Sequence, residues 1–459
     1  MTLKPPQTNV IPAFIAISIT SFLVPFVGSS LNLALPHIAH ELNMNAVTLS
    51  LVVTAYLLPC AMFQMPAARL GDLFGRKKIY LAGVFIFSVF SLLSGLAWSA
   101  HSLLIFRVLT AVGASMMFGT AMAILVMLFP PEKRGRMLGL SGAIVYFALA
   151  SGPFFGGLLA HYFGWRSIFY LCFVVGFMAM LALGLALREE WKEAEGESFD
   201  GIGAVLFALA VFGIIYGFSL LPNLQSWILL ILGAVFAIAF VVYELRVKVP
   251  MFNLDLLRFN KPFRMSSIAA MINYTLTAAS TFLLSLYLQY VRGLNAQEAG
   301  LLLMLQPIAQ TVFSVWAGRL SDKIDPSKIA TIGMAVVGVA LAFLCFLSET
   351  TAWWMLAAVL VIFGIGFGAF SPSNTVMIMG SVDKKYYGSA SAVTGTARLI
   401  GSSLSVGIAT LSIHIYLGTA SLSAAYHDEF MSSLHLTCAV SLALCVIGVW
   451  VSAQRFGKK

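Results

Sequence analysis

Apolar runs of roughly twenty residues, the length that crosses a bilayer as a helix, recur along the chain and are separated by short polar loops. They fall at 11–35, 47–67, 79–98, 102–129, 138–161, 166–187, 203–221, 226–245, 263–290, 298–317, 328–347, 352–378, 389–416 and 430–453. Backbone amides in hydrocarbon must bond within their own segment, so each run predicts a transmembrane helix. The expected fold class is an all-α polytopic membrane protein with fourteen spans. The stretch Val10 to Leu35 has no small-residue cleavage site followed by a soluble domain, so it reads as a first span and not as a removed leader.

Composition agrees with this pattern. Of the 459 residues, 60% are hydrophobic and 10% charged, against about 25% charged in soluble domains. A water-soluble enzyme with a large core is excluded, because so few charges cannot cover its surface. The five cysteines (Cys60, Cys172, Cys345, Cys438, Cys445) each lie inside an apolar run, with no CxxC pair and no metal-ligand spacing. They read as packing residues. No Gly-x-x-x-x-Gly-Lys-Ser/Thr loop occurs, which argues against direct drive by ATP.

Charge sets the expected orientation. Lys and Arg mark cytoplasmic loops. With both termini in the cytoplasm, 23 of the 27 basic residues fall on that side and only Arg166 and Arg292 on the other; Arg107 and Arg398 fall inside spans. The net charge of +9 is therefore a topology signal spread over many loops, with no basic patch for nucleic acid. The expected location is the cytoplasmic membrane, multi-pass.

An internal repeat divides the chain. The loop after the second span reads Ala68-Arg69-Leu70-Gly71-Asp72-Leu73-Phe74-Gly75-Arg76-Lys77-Lys78, and the loop after the tenth reads Gly318-Arg319-Leu320-Ser321-Asp322-Lys323. Both share small-Arg-Leu-x-Asp followed by a turn and a cation, at equivalent places in two halves. An Asp at a helix end can accept from the next helix's amides and from a nearby Arg, and Gly71 and Gly75 permit a tight reversal. Such a cluster suits a gate that holds the cytoplasmic ends together in one state; Arg69, Asp72, Gly75, Arg76, Arg319 and Asp322 are its candidates. The expected units are 1–188, a six-helix bundle; 189–262, linkers and two inserted helices; and 263–459, a second six-helix bundle.

On these residues the chain resembles the major facilitator superfamily, whose signature loop it matches except that Ala68 stands where the family has Gly. Within that superfamily it is similar to the fourteen-helix drug:proton antiporter branch. The further matches are Gly152-Pro153-Phe154-Phe155-Gly156-Gly157, Asn32-Leu33-Ala34-Leu35-Pro36, Gly164-Trp165-Arg166, Pro250-Met251-Phe252 and Tyr287-Leu288-Gln289. The resemblance implies two six-helix bundles plus two inserted helices, rocking about a midplane site. It also implies that Gly152, Pro153, Gly156 and Gly157 seal one state against leak. Physically, Pro153 bends its helix and the glycines admit a close neighbour.

Arginine inside a span is costly and a functional candidate by default. The resemblance gives Arg107 a part in proton coupling, although Thr110 and Ala111 replace the family's Gln-Gly; snorkelling to outer headgroups is the other reading. Arg398, deeper in its span, points to the cavity or to a helix contact. The branch usually has an Asp where this chain has Val27, and each of the 18 acidic residues falls in or beside a loop. A cavity with Arg107 and Arg398 and no carboxylate should favour anionic, neutral or amphipathic solutes over dications. Asn32, Gln64, Asn273, Tyr274, Gln306, Gln310 and Asn374 are polar within spans and either meet the solute or bond a neighbouring helix. His414 and His435 are the remaining titratable groups at depth.

The function expected is secondary active transport: proton-coupled efflux of small amphipathic compounds or drugs, with specific transport of an anionic or neutral metabolite as the alternative. The expected partners are a small-molecule substrate, protons and the lipid bilayer, with no nucleic acid and the chain acting as a monomer. No enzymatic activity, cofactor or metal is expected.

Overall fold

A computed structural model of the chain describes residues 10–129, 131–192, 194, 196–221, 223–247, 250–251, 254–321, 323–382, 387–418 and 426–455. Among them are fourteen helical segments long and apolar enough to cross a membrane, matching the number of apolar runs.

The first bundle contains α1 (Val10–Glu41), α2 (Ala46–Phe74), α3 (Arg76–Gly95), α4 (Ala100–Leu128), α5 (Pro131–Phe163) and α6 (Arg166–Ala186). The inserted hairpin is α7 (Gly201–Ser219) and α8 (Leu224–Glu244), followed by a short surface helix α9 (Asp255–Phe259). The second bundle contains α10 (Lys261–Leu286), α11 (Ala296–Leu303), α12 (Leu305–Ser321), α13 (Pro326–Leu344), α14 (Trp353–Gly380), α15 (Tyr387–Leu417) and α16 (His427–Ala453). An even number of spans puts both ends of the chain on one side, called here the terminal face; the other is the far face. The tenth run is two helices, since the chain turns at Met304, and α10 runs on into a π-helical turn over Tyr287–Val291.

The repeat seen in the loops extends to the packing. In the first bundle a Cβ on Gly83 of α3 would lie 2.9 Å from the Gly113 carbonyl of α4. At the equivalent place in the second, a Cβ on Gly333 of α13 would lie 2.7 Å from the Gly366 carbonyl of α14. Lipid offers no hydrophobic drive between helices, so close backbone approach at small residues holds each pair by dispersion. The hairpin uses the same device: a Cβ on Gly233 of α8 would sit 2.6 Å from the Ile214 amide of α7. Helix α7 packs on both α2 and α15, and so lies over a seam between the bundles, whereas α8 contacts chiefly α7.

Arg455 ties the terminal face of the second bundle. It is 7% exposed and donates from Nη1 to Asn374 Oδ1 at 2.5 Å and to Ser266 Oγ at 3.0 Å, and from Nε to the Ser452 carbonyl at 3.0 Å. These bonds join α10, α14 and the end of α16. Burial lowers its pKa to about 10, with Asp325 partly offsetting the shift, so it stays charged at neutral pH. Arg455→Ala leaves Asn374 Oδ1 unpaired and is expected to cost about 1–3 kcal/mol, read as a lower midpoint of unfolding in detergent; an unchanged midpoint contradicts the role.

Candidate functional site at mid-depth between the bundles

Among the described residues, hydrogen bonds between the bundles lie toward the far face and at mid-depth. Near the far face, Ser285 Oγ of α10 donates to the Asn32 carbonyl of α1 at 2.6 Å, and Thr410 Oγ1 of α15 donates to Ser50 Oγ of α2 at 2.8 Å. At mid-depth the Tyr146 hydroxyl of α5 and Ser371 Oγ of α14 are 2.7 Å apart, and the Tyr274 hydroxyl of α10 is 3.4 Å from the same oxygen.

The Gly-Pro-x-x-Gly-Gly segment packs against α1 and α11 toward the far face. Ser30 Oγ of α1 donates to the Gly152 carbonyl at 3.0 Å, and Ser30 also covers Gly156, leaving no room for a Cβ there. On the other side Gly157 lies against the Ala296 carbonyl of α11, and Gly300 of α11 lies against the Pro153 carbonyl; a Cβ at either glycine would collide with that oxygen. One helix of the first bundle thus meets α1 of its own bundle and α11 of the other through glycine faces. Gly164-Trp165-Arg166 fastens three helix ends there: Trp165 Nε1 donates to Glu41 Oε2 at 2.7 Å, Arg166 pairs with Glu41, and Arg166 Nη2 donates to the Ala97 carbonyl at 3.1 Å. Tyr287 donates to the Ser348 carbonyl at 2.7 Å, holding α10 to the loop after α13.

The signature loop binds the linker that follows α6. Gly75 has φ +114°, a conformation open to glycine, and its amide donates to the Gly71 carbonyl at 3.0 Å, closing α2. Arg76 pairs with Asp72, with its Nε 2.8 Å from Asp72 Oδ1. Glu190 Oε1 accepts from the Lys77 amide at 2.9 Å, the Trp191 carbonyl accepts from the Arg76 amide at 3.1 Å, the Ala194 amide donates to the Asp72 carbonyl at 3.1 Å, and Arg69 pairs with Glu197. The carboxylate that caps α3 is therefore Glu190, and in this conformation the linker also supplies partners to Arg69, Asp72 and Arg76. Sequence reading missed Glu190 and Glu197, because a Glu-rich stretch signals a solvated linker and nothing local says what it folds against. In the second copy Arg319 is exposed, and Asp322 lies outside the described residues.

Arg107 is 1% exposed, which removes the snorkelling reading. Its guanidinium carbon lies 4.3 Å from the centroid of the Tyr56 ring and 6.0 Å from that of Phe169, and its Nε donates weakly to the Val52 carbonyl at 3.4 Å. Nη1 is buried with no hydrogen-bond partner, and among the described residues no carboxylate pairs with it. Val27 is fully buried. A polarised ring face and a carbonyl thus take the place of a counter-ion. The cost of a charge so placed is high.

Arg398 is half-buried between the bundles, its guanidinium carbon 5.5 Å from the Phe118 centroid of α4 and 5.9 Å from that of Tyr274. Tyr274 also meets Phe367 edge-on, with centroids 5.2 Å apart. Tyr146, Ser371 and Phe118 were missed, although a Tyr in mid-span is the same kind of signal that singled out Tyr274.

The polar amides divide by what they meet. Asn374 is taken up at both ends, since Nδ2 donates to the Ser266 carbonyl at 3.1 Å and Oδ1 accepts from Arg455. Gln64 Oε1, Gln310 Nε2 and Asn32 Oδ1 are buried without partners, and Gln64 lies against Gly395 of α15 across the seam. Gln306 and Gln310 sit where α14 crosses α12 at Gly364 and Gly368. Asn273 is fully buried with both amide atoms unpartnered. Removing both unmet groups is expected to help: Asn273→Leu should raise stability by about 1 kcal/mol or more, seen as a higher unfolding midpoint, and a lower one reveals a partner. His435 Nε2 lies 2.7 Å from the Leu347 carbonyl, a helix-end contact. Two carboxylates placed beside loops are buried in the structure: Asp200, which caps α7 by accepting from the Gly203 amide at 2.8 Å, and Glu244 at the end of α8. Among the described residues no group of His, Cys, Asp and Glu has a metal-binding arrangement.

The profile of the Major Facilitator Superfamily matches residues 17–406 and 265–458. The chain is 32% identical to the riboflavin transporter RibZ of Clostridioides difficile (strain 630), over 85% of each chain. It is 27% identical to the lincomycin resistance protein LmrB of Bacillus subtilis (strain 168), over 90% of this chain and 88% of that one. In fold it is similar to a bacterial homologue of the human lysosomal transporter Spinster in an inward-facing, unoccupied conformation, with a TM-score of 0.66, 17% identity, and coverage of 98% and 97%. Twelve spans in two glycine-packed bundles with two more in an inserted hairpin, the signature loop and these matches agree, and the chain belongs to the Major Facilitator Superfamily.

Proposed function

We propose that this transporter exports small amphipathic compounds by alternating access, driven by the proton gradient across the cytoplasmic membrane. The observation that carries the reading is the mid-depth group of Tyr146, Ser371, Tyr274 and Arg398, drawn from both bundles below a far face held by glycine contacts. A site shared by two bodies changes when they rock, and binding there couples to which face is open. The rocking units are 1–188 and 263–459, with 189–262 carrying the linkers and the inserted hairpin, and the chain acts as a monomer. The excess of Lys and Arg in the loops of the terminal face supports a cytoplasmic place for both termini.

A second reading, transport of one anionic or neutral metabolite, is favoured by the charge of the central region. Arg398 lies between the bundles and Arg107 within the first bundle, and no carboxylate pairs with either among the described residues. The relatives support both readings, since one is named for riboflavin and another for lincomycin resistance.

The test is reconstitution in proteoliposomes with an imposed pH gradient and three solutes: a lipophilic cation, a neutral amphipath and an organic anion. The neutral compound and the anion should move, and a protonophore should collapse their flux. Flux indifferent to the gradient removes the proton from the cycle. A cation carried as well as the others contradicts the charge argument.

A further inference from the structure

Arg398 stands apart from the other interior cation. Arg107 lies wholly within the first bundle, while Arg398 lies between the bundles and is half-buried. Its guanidinium faces an aromatic ring from each bundle, Phe118 and Tyr274, at 5.5 and 5.9 Å. These distances are near the limit of about 6 Å at which a ring face still attracts a cation. The ring attraction is thus weak on both sides, and among the described residues no carboxylate neutralises the charge. Beside it, Ser371 Oγ joins the Tyr146 and Tyr274 hydroxyls, again one from each bundle. The grouping combines a planar cation, ring faces and hydroxyls able to donate, at one depth.

We infer that this grouping is the solute subsite and that it takes a planar aromatic compound bearing one anionic oxygen-acid group, a carboxylate or an acidic phenol. The inference rests on the transport reading above and names the solute class for that same site. The anionic group pairs with the two-pronged donor face of Arg398, which a carboxylate matches in shape. The aromatic plane stacks on Tyr274 or Phe118, and the Tyr146 hydroxyl turns from Ser371 to the incoming oxygen. Because Tyr146 and Arg398 belong to different bundles, a solute holding both draws the bundles together at mid-depth.

The experiment measures binding to purified full-length protein in lipid nanodiscs by titration calorimetry, with three probes. They are 2-naphthoate, a planar anion; adamantane-1-carboxylate, an anion of similar size without a ring face; and 2-naphthylmethylammonium, a planar cation. Expected are binding of naphthoate, affinity lower by about tenfold or more for adamantanecarboxylate, and no measurable binding of the ammonium. Arg398→Gln should lower naphthoate affinity by about tenfold or more, and Arg398→Lys should not restore it, since an ammonium lacks the paired planar donors. Tyr146→Phe should weaken naphthoate affinity in a protein that still folds, its midpoint lowered by no more than the loss of the single Ser371 bond, which separates binding from folding. The inference is overturned if naphthoate does not bind, if the ammonium binds as well, or if Arg398→Gln leaves affinity unchanged in a folded protein. A parallel flux assay with a neutral amphipath separates the two levels: flux without naphthoate binding removes only the subsite, and the absence of both removes the transport reading as well.

Discussion

Arg107→Leu is expected to abolish transport while leaving the protein at least as stable as before. The guanidinium is 1% exposed, carries an unpartnered Nη1 and faces the Tyr56 ring, the more distant Phe169 ring and the Val52 carbonyl, with no carboxylate paired to it among the described residues. An interior charge without a counter-ion costs stability, and an apolar side chain removes that cost, which outweighs the packing that the shorter Leu gives up. If folding alone were at stake, such a residue would be a burden. The expected loss of flux is tenfold or more, equivalent to about 1.4 kcal/mol or more in the barrier. Arg107→Lys keeps the charge but not the flat face over Tyr56, and is expected to recover part of the rate. The measurement pairs proteoliposome flux with the unfolding midpoint of the same preparation. A midpoint that falls together with flux would make Arg107 a structural residue and sink the functional assignment.

Gly157→Val is expected to break the far-face seal. A Cβ at this position collides with the Ala296 carbonyl of α11, and backbone cannot yield as a flexible side chain can. Overpacking of this kind costs typically about 1–3 kcal/mol, and here the cost falls on the conformation in which α5 and α11 touch. The population should shift away from that conformation. Flux should fall, and a membrane-impermeant thiol reagent should reach a cysteine placed at Asn32 from the far face more readily than in the parent. Gly300→Val, on the facing helix against the Pro153 carbonyl, should reproduce the result. Gly184→Val is the control, because nothing lies within 4 Å of its would-be Cβ. If the two contact-face variants behave like the control, the seal lies elsewhere.

The arrangement also lays the inserted hairpin across both bundles. Helix α7 spans α2 and α15, and the Phe218 ring lies against Gly407, where a Cβ would be 3.3 Å from it. The same two helices, α2 and α15, approach each other at Gln64 and Gly395. On the alternating-access reading proposed above, a helix laid across both bundles slides or tilts as they rock. Its glycines at 213 and 217, packed on α8, leave the hairpin as a unit of its own.

What the sequence determined by itself was whatever depends on neighbours along the chain. The fourteen spans followed from runs of apolar residues, because a segment in lipid must satisfy its own backbone. The two halves followed from a loop repeated at equivalent places, and the glycine-rich segment of α5 announced a close helix contact. Even the break at Met304 and the π-turn at Tyr287 lie within runs correctly read as spanning. The tertiary structure decided which polar residues meet. Tyr146 and Ser371 are 225 positions apart, and Arg455, read as one more loop cation, closes a buried network with Asn374 81 positions away. Asn374, Asn273 and Gln64 look alike in sequence, yet one is fully bonded, one meets nothing and one lies on the seam. The physical reason is that a side-chain amide or guanidinium in a span takes its partners largely from other helices. Which helix supplies them depends on how the bundles pack, and that is set by contacts far apart in the chain.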